Sequence, residues 1–342
     1  MKVFLLTLLL LSTAFGIESF HYVNKNYYIS SHETLLKNYK STISPYFYKH
    51  KLHYFTAKDG IKIAYKIFLV KNAKASIVIS SGRTEGMFKY QELIYDLNQN
   101  SYDVYIHDHR GQGYSQRLLK DTQIGHVHKF EDYVEDLKQF FNEKVSKKKK
   151  LILIGHSMGG AIASLYVQKY TYDFDGLVLS SPMHQADLVS SKLSNIVCSL
   201  IEKRKRNIDR YIIGETSYDD ATVSFKENIL THSKVRFDIV EAAIQKEPEV
   251  KLGGPSVRWV GEACRGSKKS VDNAFKVKIP TLLLQAEEDQ VVNKLPQDDF
   301  CSMTFAKCSE YQIDGAYHEL FIEKDDIRKK VLTAVLDFIS KI

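Results

Sequence analysis

The sequence has little of several features that would assign a function class directly. After the N-terminal apolar run, Val3 to Leu11, no segment is long enough to span a bilayer. The spacings of its four cysteines match no zinc-binding pattern. No basic module rich in aromatic residues points to nucleic acid, and no repeat of fixed period indicates a solenoid. We therefore expect a protein that is soluble or peripheral to a membrane.

The composition is that of a soluble globular protein, with 44% hydrophobic and 26% charged residues in a chain of 342. This length fits one large domain, with or without an insertion. At the N-terminus, Lys2, the apolar run and the small residues of "STAFG" predict a secretory signal, residues 1–16, cleaved near Gly16. An uncleaved anchor or a buried first helix is the alternative. We expect an exported protein, either periplasmic or secreted.

The net charge of the full chain is +7, and it becomes +6 when the signal is removed, because Lys2 is the signal's only charged residue. An excess of positive charge favours anionic surfaces, including membranes. The densest basic cluster is "EKRKR" at 202–206. It indicates either peripheral contact with an anionic membrane or an ordinary solvated face.

An even number of cysteines in an exported chain permits disulfides. Cys301 and Cys308 are close enough in sequence to pair. Four cysteines allow three pairings, however, and free buried thiols are also compatible with the sequence. The pairing of Cys198, Cys264, Cys301 and Cys308 therefore stays open at this point.

Short apolar strands alternate with amphipathic helices along most of the chain. Examples are the strands "ASIVIS", "LILIG" and "TLLLQ", and a helix over 130–145 with apolar residues at helical spacing. Such alternation predicts a mostly parallel sheet covered by helices on both faces. A polar lead-in, 17–50, precedes the core. The charged stretch 183–270 shows no alternation, so we expect a cap insertion between core segments 51–182 and 271–342.

The stretch "LILIGHSMGG" contains the pattern G-x-S-x-G between a predicted strand and a predicted helix. In that context the serine, Ser157, lies on a sharp turn that projects its hydroxyl above the sheet. Glycines on either side relieve steric collisions at the turn. We predict that Ser157 is a nucleophile; a serine that merely caps a helix is the alternative.

A serine hydroxyl needs a base to take its proton, and in this architecture the acid and then the histidine follow the serine along the chain. "LLLQAEEDQVV" offers Glu287, Glu288 and Asp289 after a late strand, and we choose Asp289. His318 follows the last predicted strand and a turn at Asp314-Gly315. Five other histidines are expected to make local hydrogen bonds or lie at the surface: His109, His126, His128, His156 and His184. The side chain of His156 is expected on the far side of the elbow, the sharp turn at Ser157.

Ester or amide hydrolysis also needs an oxyanion hole of two backbone N–H groups. One is expected from Met158, the residue after the nucleophile. The other is expected from the loop "SGRTEG", where we choose the N–H of Arg83 rather than its side chain. The proposed chemistry requires neither a metal nor an organic cofactor.

Several segments together resemble bacterial PldB-type lysophospholipases, which are α/β-hydrolases related to monoacylglycerol lipases and to serine aminopeptidase-like enzymes. They include "YDVYIHDHRGQGYSQR", "GHSMGGAIASLY", "GGPSVRWV" and "GAYHELFIEKDDIR". The resemblance implies an α/β-hydrolase fold and hydrolysis of the fatty acyl ester of lysophospholipids or monoacylglycerols. It supports the same triad and oxyanion donors. Related lipases carry His-Gly at the oxyanion loop, whereas this chain has Ser81-Gly82.

Two other functions are compatible with the residues. An aminopeptidase would keep the triad and use a cap carboxylate to hold the substrate amine. Candidate carboxylates occur in the cap segment at Glu202, Asp209, Glu215 and Glu241. A lipid-binding protein without catalytic activity would keep the fold alone.

Overall fold

The computed structural model describes residues 26–185, 198–201, 203–204, 206, 208–305 and 307–342. The predicted signal segment, 1–16, lies outside them, as does Glu202. Strands β1 to β8 are His53–Thr56, Lys62–Phe68, Ala75–Ser80, Tyr102–His107, Lys150–His156, Gly176–Ser180, Thr281–Ala286 and Cys308–Ile313. The α-helices of six or more residues, α1 to α9, are His32–Asn38, Ser44–Lys49, Gln91–Gln99, Phe130–Lys144, Met158–Lys169, Lys234–Lys246, Val257–Asp272, Leu295–Met303 and Asp325–Lys341.

Within the described ranges these strands form one eight-stranded sheet in the order β1-β2-β4-β3-β5-β6-β7-β8. β1 pairs with β2, and β2 with β4, in antiparallel fashion, and the remaining neighbours are parallel. Every residue of β3, β4, β6 and β7 is buried. Strands buried on both faces are read as continuous apolar runs, which is why the sequence predicted a mostly parallel sheet. That prediction is confirmed.

Helices cover both faces of the sheet. On one face, apolar residues of α4, α5, α7 and α8 form a core with Val78, Leu153 and Leu179 of the strands. On the other face, residues of α3 and α9 pack with the alternate residues Ile77 and Ile152. Successive side chains of a strand point to opposite faces, so each central strand contributes to both cores.

The predicted cap segment, 183–270, contains α6 and most of α7. Helix α7 packs against α4 and α5, so this part of the segment belongs to the helical layer of the core. Its loop 252–254 instead reaches the loop after β3, where Arg83 Nη2 donates to the Gly253 carbonyl at 2.7 Å. The predicted domain boundaries stay a prediction. No helix within the described ranges is both long and apolar enough to cross a membrane.

Helix α6 is joined to the core by buried charges. Arg236 donates from Nε and Nη2 to the Glu92 carboxylate of α3, at 2.9 Å each. Arg328 of α9 contacts Asp96 of α3 at 2.8 Å, and both arginines donate to the carbonyl of Ser30. Removing one member of a buried pair leaves an uncompensated charge, which costs about 3–5 kcal/mol. The network therefore holds α3, α6, α9 and the lead-in together.

The four cysteines form two disulfides. Cys198 pairs with Cys264 of α7 across 66 residues, and Cys301 of α8 pairs with Cys308 of β8 across 7. The first disulfide fixes part of the cap segment to the core helix α7. The second fixes the edge strand to the helix that precedes it.

We expect the two disulfides to differ in their contribution to stability, because a longer closed loop removes more entropy from the unfolded chain. The pair Cys198→Ser with Cys264→Ser is expected to lower the free energy of unfolding by about 4 kcal/mol, and Cys301→Ser with Cys308→Ser by about 2 kcal/mol. Urea titration followed by circular dichroism measures both losses. The short-loop variant is the matched control, and a reversed order would contradict the prediction.

Candidate active site

Ser157 lies on the turn between β5 and α5. Its backbone has φ 52° and ψ −122°, a conformation that residues other than glycine rarely adopt. The turn is held by hydrogen bonds from the Ser157 N–H to the Ser180 carbonyl, at 3.0 Å, and from the Met183 N–H to the Ser157 carbonyl, at 2.9 Å. Strained backbone of this kind persists only where its surroundings impose it. Here the carboxyl ends of β5 and β6 impose it.

Glycines make the turn possible because the chain has no room for side chains beside it. A Cβ on Gly159 would lie 2.1 Å from the Ser80 carbonyl oxygen of β3, and a Cβ on Gly155 would lie 2.6 Å from the Gly159 carbonyl oxygen. Both contacts are far shorter than van der Waals distance. Helix α5 can therefore start directly against β3, which places its N-terminus beneath the Ser157 hydroxyl.

His318 contacts both Ser157 and Asp289. Its Nε2 lies 2.9 Å from Ser157 Oγ, and its Nδ1 lies 2.7 Å from Asp289 Oδ2. A carboxylate only accepts hydrogen bonds, so Nδ1 carries the hydrogen and donates it to Asp289. Nε2 is then free to accept the hydrogen of the Ser157 hydroxyl. The structure thus brings together three residues that the sequence separates by as much as 161 positions.

Asp289 is held in its ionised form. Its Oδ1 accepts from the N–H groups of Val291, at 2.8 Å, and Val292, at 3.1 Å. Burial alone would raise the pKa of Asp289. The hydrogen bond to His318, the positive charge of the His318 ring and these two amides outweigh burial, and they hold the pKa below its usual value. A buried carboxylate beside the imidazole stabilises the positive charge that His318 would acquire on taking a proton.

The two neighbouring glutamates make other contacts. The Gly315 N–H donates to Glu287 at 2.7 Å, and Glu288 lies 4.0 Å from His232. Of the three acids considered from the sequence, Asp289 is therefore the one in contact with His318.

The expected oxyanion donors lie on either side of Ser157. Met158 begins α5, and Gly82 is so close to the serine that a Cβ on Gly82 would lie 3.3 Å from Ser157 Cβ. Among the described residues, no hydrogen bond uses the N–H of Arg83 or that of Met158. The Arg83 side chain leaves the site, donates to Gly253 and stacks 5.1 Å from the centre of the Trp259 ring. Both amides thus remain available to a substrate oxygen.

Sequence reasoning missed a buried charged cluster beside the triad. Lys89 contacts Glu85 at 2.6 Å and also contacts Glu319, which follows His318 in the chain. Burial alone would lower the pKa of Lys89, but the two carboxylates outweigh it and raise the pKa. Lys89 likewise holds the pKa of Glu85 at about 2 against burial. The spacing of Glu85 and Lys89, four residues apart, was the available signal.

His156 is closer to the triad than the sequence predicted. Its ring centre lies 4.9 Å from that of His318, not on the far side of the elbow, while Nδ1 donates to the Ser180 carbonyl at 3.0 Å. Burial lowers the pKa of His156 to about 4, and Glu85 only partly opposes it. A neutral ring here adds no charge next to His318.

The same cluster contains the strongest candidate metal ligands in the described part of the chain. Ligand atoms of Glu85, His156 and Glu319 all lie within 4.8 Å of one another. The Lys89 ammonium contacts both carboxylates, however, so a metal ion held by them would lie beside a second cation. The donor set therefore does not fit a resident metal ion.

A family model described as "Serine aminopeptidase, S33" matches residues 71–325. The chain belongs to this hydrolase family. It is 36% identical to lysophospholipase L2 of Escherichia coli K12 over 296 residues, 84% of this chain and 86% of that protein. It is 27% identical to monoglyceride lipase of Rattus norvegicus, over 78% of this chain and 82% of that protein. The resemblance to the lysophospholipase and monoacylglycerol lipase group is thereby confirmed.

Solved structures of two lipases share the fold. A soluble variant of monoglyceride lipase from Saccharomyces cerevisiae aligns with a TM-score of 0.66 and 21% identity, covering 85% of this chain and 96% of that one. A monoacylglycerol lipase from Paleococcus ferrophilus aligns with a TM-score of 0.62 and 20% identity, covering 81% and 98%. The predicted α/β-hydrolase fold is confirmed.

We expect the substitution Gly159→Ala to disrupt the elbow, because the added methyl group would meet backbone that cannot move aside. The expected loss is about 1–3 kcal/mol in the free energy of unfolding, together with loss of esterase activity. Gly60→Ala is the matched control: its methyl group meets no atom within 4 Å, so only the left-handed backbone, φ 89°, opposes it. Denaturant titration and ester hydrolysis measure both effects; an active, fully stable Gly159→Ala protein would show that the turn tolerates a side chain.

Proposed function

We propose that the protein is a serine hydrolase that removes the fatty acyl chain of lysophospholipids or monoacylglycerols through an acyl-enzyme intermediate. The observation that carries the proposal is the 2.9 Å contact between Ser157 Oγ and His318 Nε2. The opposite nitrogen of this histidine contacts a carboxylate, which is the arrangement that activates a serine. The relatives named lysophospholipase L2 and monoglyceride lipase favour this substrate class.

In the acylation step, His318 takes the hydroxyl proton of Ser157 while Oγ attacks the ester carbonyl. The negative charge that develops on the carbonyl oxygen is stabilised by the N–H groups of Met158 and Arg83 and by the N-terminus of α5. Asp289 stabilises the imidazolium and keeps its orientation. The glycerol-containing alcohol leaves with the proton from His318.

Deacylation follows the same route with water as the nucleophile. His318 takes a proton from the water molecule, whose oxygen attacks the acyl carbonyl of the Ser157 ester. The same two amides stabilise the second oxyanion, and the proton returns to Oγ as the fatty acid is released. The serine is restored at the end of each cycle, so the chain's own residues complete the reaction.

Aminopeptidase activity is the second candidate, because the matching family is described by that activity. Its chemistry needs a carboxylate in the cap segment that is free to bind an amine. Asp209 contacts Arg258 at 3.3 Å, and Glu241 accepts from the Tyr218 hydroxyl at 2.9 Å. Both acids are already engaged, and Glu202 lies outside the described residues. Exposed Glu215 makes no side-chain hydrogen bond or ion pair within the described ranges, so it stays the candidate amine ligand. Ester hydrolysis is favoured by the relatives named lysophospholipase L2 and monoglyceride lipase.

We expect Ser157→Ala to lower kcat for fatty acid release by about 10⁶-fold without loss of folding, because no other group replaces the nucleophile. The assay compares lysophosphatidylcholine, lysophosphatidylethanolamine, a monoacylglycerol and an aminoacyl-arylamide. Ser164→Ala, on the same helix, is the matched control. Faster cleavage of the arylamide than of any long-chain ester would favour the aminopeptidase, and retained turnover by Ser157→Ala would overturn the mechanism.

We also propose that the protein is exported, with cleavage near Gly16, to a periplasm or to the medium. The two disulfides support this, since disulfides persist in oxidising compartments and are rare in the cytosol. The N-terminal pattern of Lys2 followed by an apolar run supports it independently.

A basic and apolar part of the cap segment, residues 198–213, is the proposed contact with anionic membranes. Leu200 is 65% and Ile213 is 92% exposed. The exposed cations Lys203, Arg204 and Arg206 lie between them in the chain. Disulfide Cys198–Cys264 fixes one end of this segment to α7, and pairing of Tyr211 with Ser256 fixes the other. The combination of apolar and cationic side chains suits a surface that carries the proposed lipid substrates.

We expect the triple variant Lys203→Gln, Arg204→Gln, Arg206→Gln to bind anionic vesicles about 10²-fold more weakly, since each basic residue near such a surface contributes about 1 kcal/mol. Co-sedimentation with phosphatidylglycerol vesicles measures the affinity. The matched control, Lys147→Gln, Lys148→Gln, Lys150→Gln, removes the same charge from another exposed site. Equal weakening of both variants would show that only net charge matters.

A further inference from the structure

Gln112 holds the loop that contributes the expected oxyanion donor Arg83. Its side-chain Nε2 donates to the carbonyl oxygens of Gly82 and Glu85, both at 2.7 Å. Gln112 is only 3% exposed, so water does not compete for these hydrogen bonds. The amide has one orientation here, because the reverse orientation would place its oxygen against two carbonyl oxygens.

The two carbonyls bracket a strained turn. Between them lies Thr84, with φ 63°, in the left-handed region that β-branched residues rarely adopt. Such a turn needs support from its surroundings. Gln112 supplies that support by joining the residues on either side of Arg83 and Thr84.

The bond to Gly82 also sets the direction of the Arg83 N–H. In a trans peptide the carbonyl and the following N–H point in opposite directions, and the described residues contain no cis peptide bond. The Gly82 carbonyl points to Gln112, so the Arg83 N–H points away from it. On the other side of Gly82, its own N–H donates to Glu85 Oε2 at 2.5 Å. Gly82 therefore cannot rotate without breaking a buried hydrogen bond.

Glutamine is suited to this position by its chemistry. Its terminal nitrogen has two hydrogens, and each meets one carbonyl. Glutamate has no donor when ionised, and methionine has the same length without a donor. The loop that presents Gln112 is itself fixed, since Asp108 accepts from the N–H groups of Met87, at 2.6 Å, and Tyr114, at 2.7 Å.

We propose that Gln112 is a positioning residue for ester hydrolysis, which keeps the Arg83 N–H directed at the oxygen that becomes negative in the transition state. The inference rests on the proposed function. Gln112 itself touches no reacting atom and acts only through the Gly82–Arg83 peptide. Its effect should therefore appear in the stabilisation of the oxyanion, and not in the binding of the substrate, whose ester carbonyl is still uncharged.

The test compares Gln112→Met with the wild-type enzyme on a lysophospholipid. Loss of one oxyanion donor typically lowers kcat by about 10²–10³-fold, so we expect a fall of about 10²-fold with KM changed less than about twofold. A long-chain trifluoromethyl ketone, which forms an oxyanion on Ser157, should lose affinity in parallel with kcat. An alkyl phosphocholine, which forms none, should bind as before.

Two further variants make the outcome decisive. Gln112→His keeps one donor at the same distance from the backbone and should recover part of the lost kcat. If Gln112→Met does not fold, the kcat of Gln112→His is compared with that of the wild-type enzyme instead. Gln168→Met is the matched control, since the buried Gln168 amide donates to the Ser270 carbonyl at 2.6 Å, in contact with helix α7 and not with the oxyanion loop. It should keep its kcat and its affinity for both inhibitors.

An unchanged kcat in Gln112→Met, or equal loss of affinity for both inhibitors, would overturn the positioning role while leaving the proposed function intact. Absence of ester hydrolysis in the wild-type enzyme would instead refute the proposed function itself. The two failures are thus distinguishable.

Discussion

The sharp turn between β5 and α5 is the constraint on which the rest of the site depends. Ser157 occupies a backbone conformation that the chain would not adopt alone. Its neighbours Gly155 and Gly159 have no side chains, and this leaves room for a helix that begins directly against β3. Because the turn fixes the position of the Ser157 hydroxyl, it also defines where the other functional groups of the site must lie. His318 meets it from the loop after β8, and the Gly82–Arg83 peptide from the loop after β3.

Electrostatics around His318 follow from burial and pairing together. Asp289 is kept ionised on one side, while His156, beside the ring, is kept neutral by burial. In the cluster of charged groups near the triad, the Lys89 ammonium contacts both Glu85 and Glu319 and lowers the pKa of Glu85, whereas burial and the neighbouring Glu85 raise the pKa of Glu319. Such clusters are stable only when every member is satisfied. The imidazole of His318 thus gains and loses its proton between an ionised carboxylate and a neutral ring.

How far the sequence predicts this structure depends on whether a feature is local. The elbow is local: an apolar run, G-x-S-x-G and a small-residue helix are all within reach of one another. Asp289 and His318 could be predicted because the carboxyl ends of parallel strands meet at one edge of the sheet. The contacts of Gln112 with Gly82, of Arg236 with Glu92, and of Cys198 with Cys264 join distant segments, and no periodicity reports them. The prediction that His156 lies on the far side of the elbow was wrong for the same reason, because the neighbours of His156 depend on the position of the distant His318.

The guanidinium of Arg236 has a consequence for how freely helix α6 can move. Moving helix α6 away from α3 would separate Arg236 from Glu92, and leaving either charge buried without its partner is costly. This helix therefore moves with α3 as one body. The turn at Gly214, in the same cap segment, is exposed instead. Within the described part of the cap segment, α6 is therefore the element whose position relative to the sheet is best defined by buried charge.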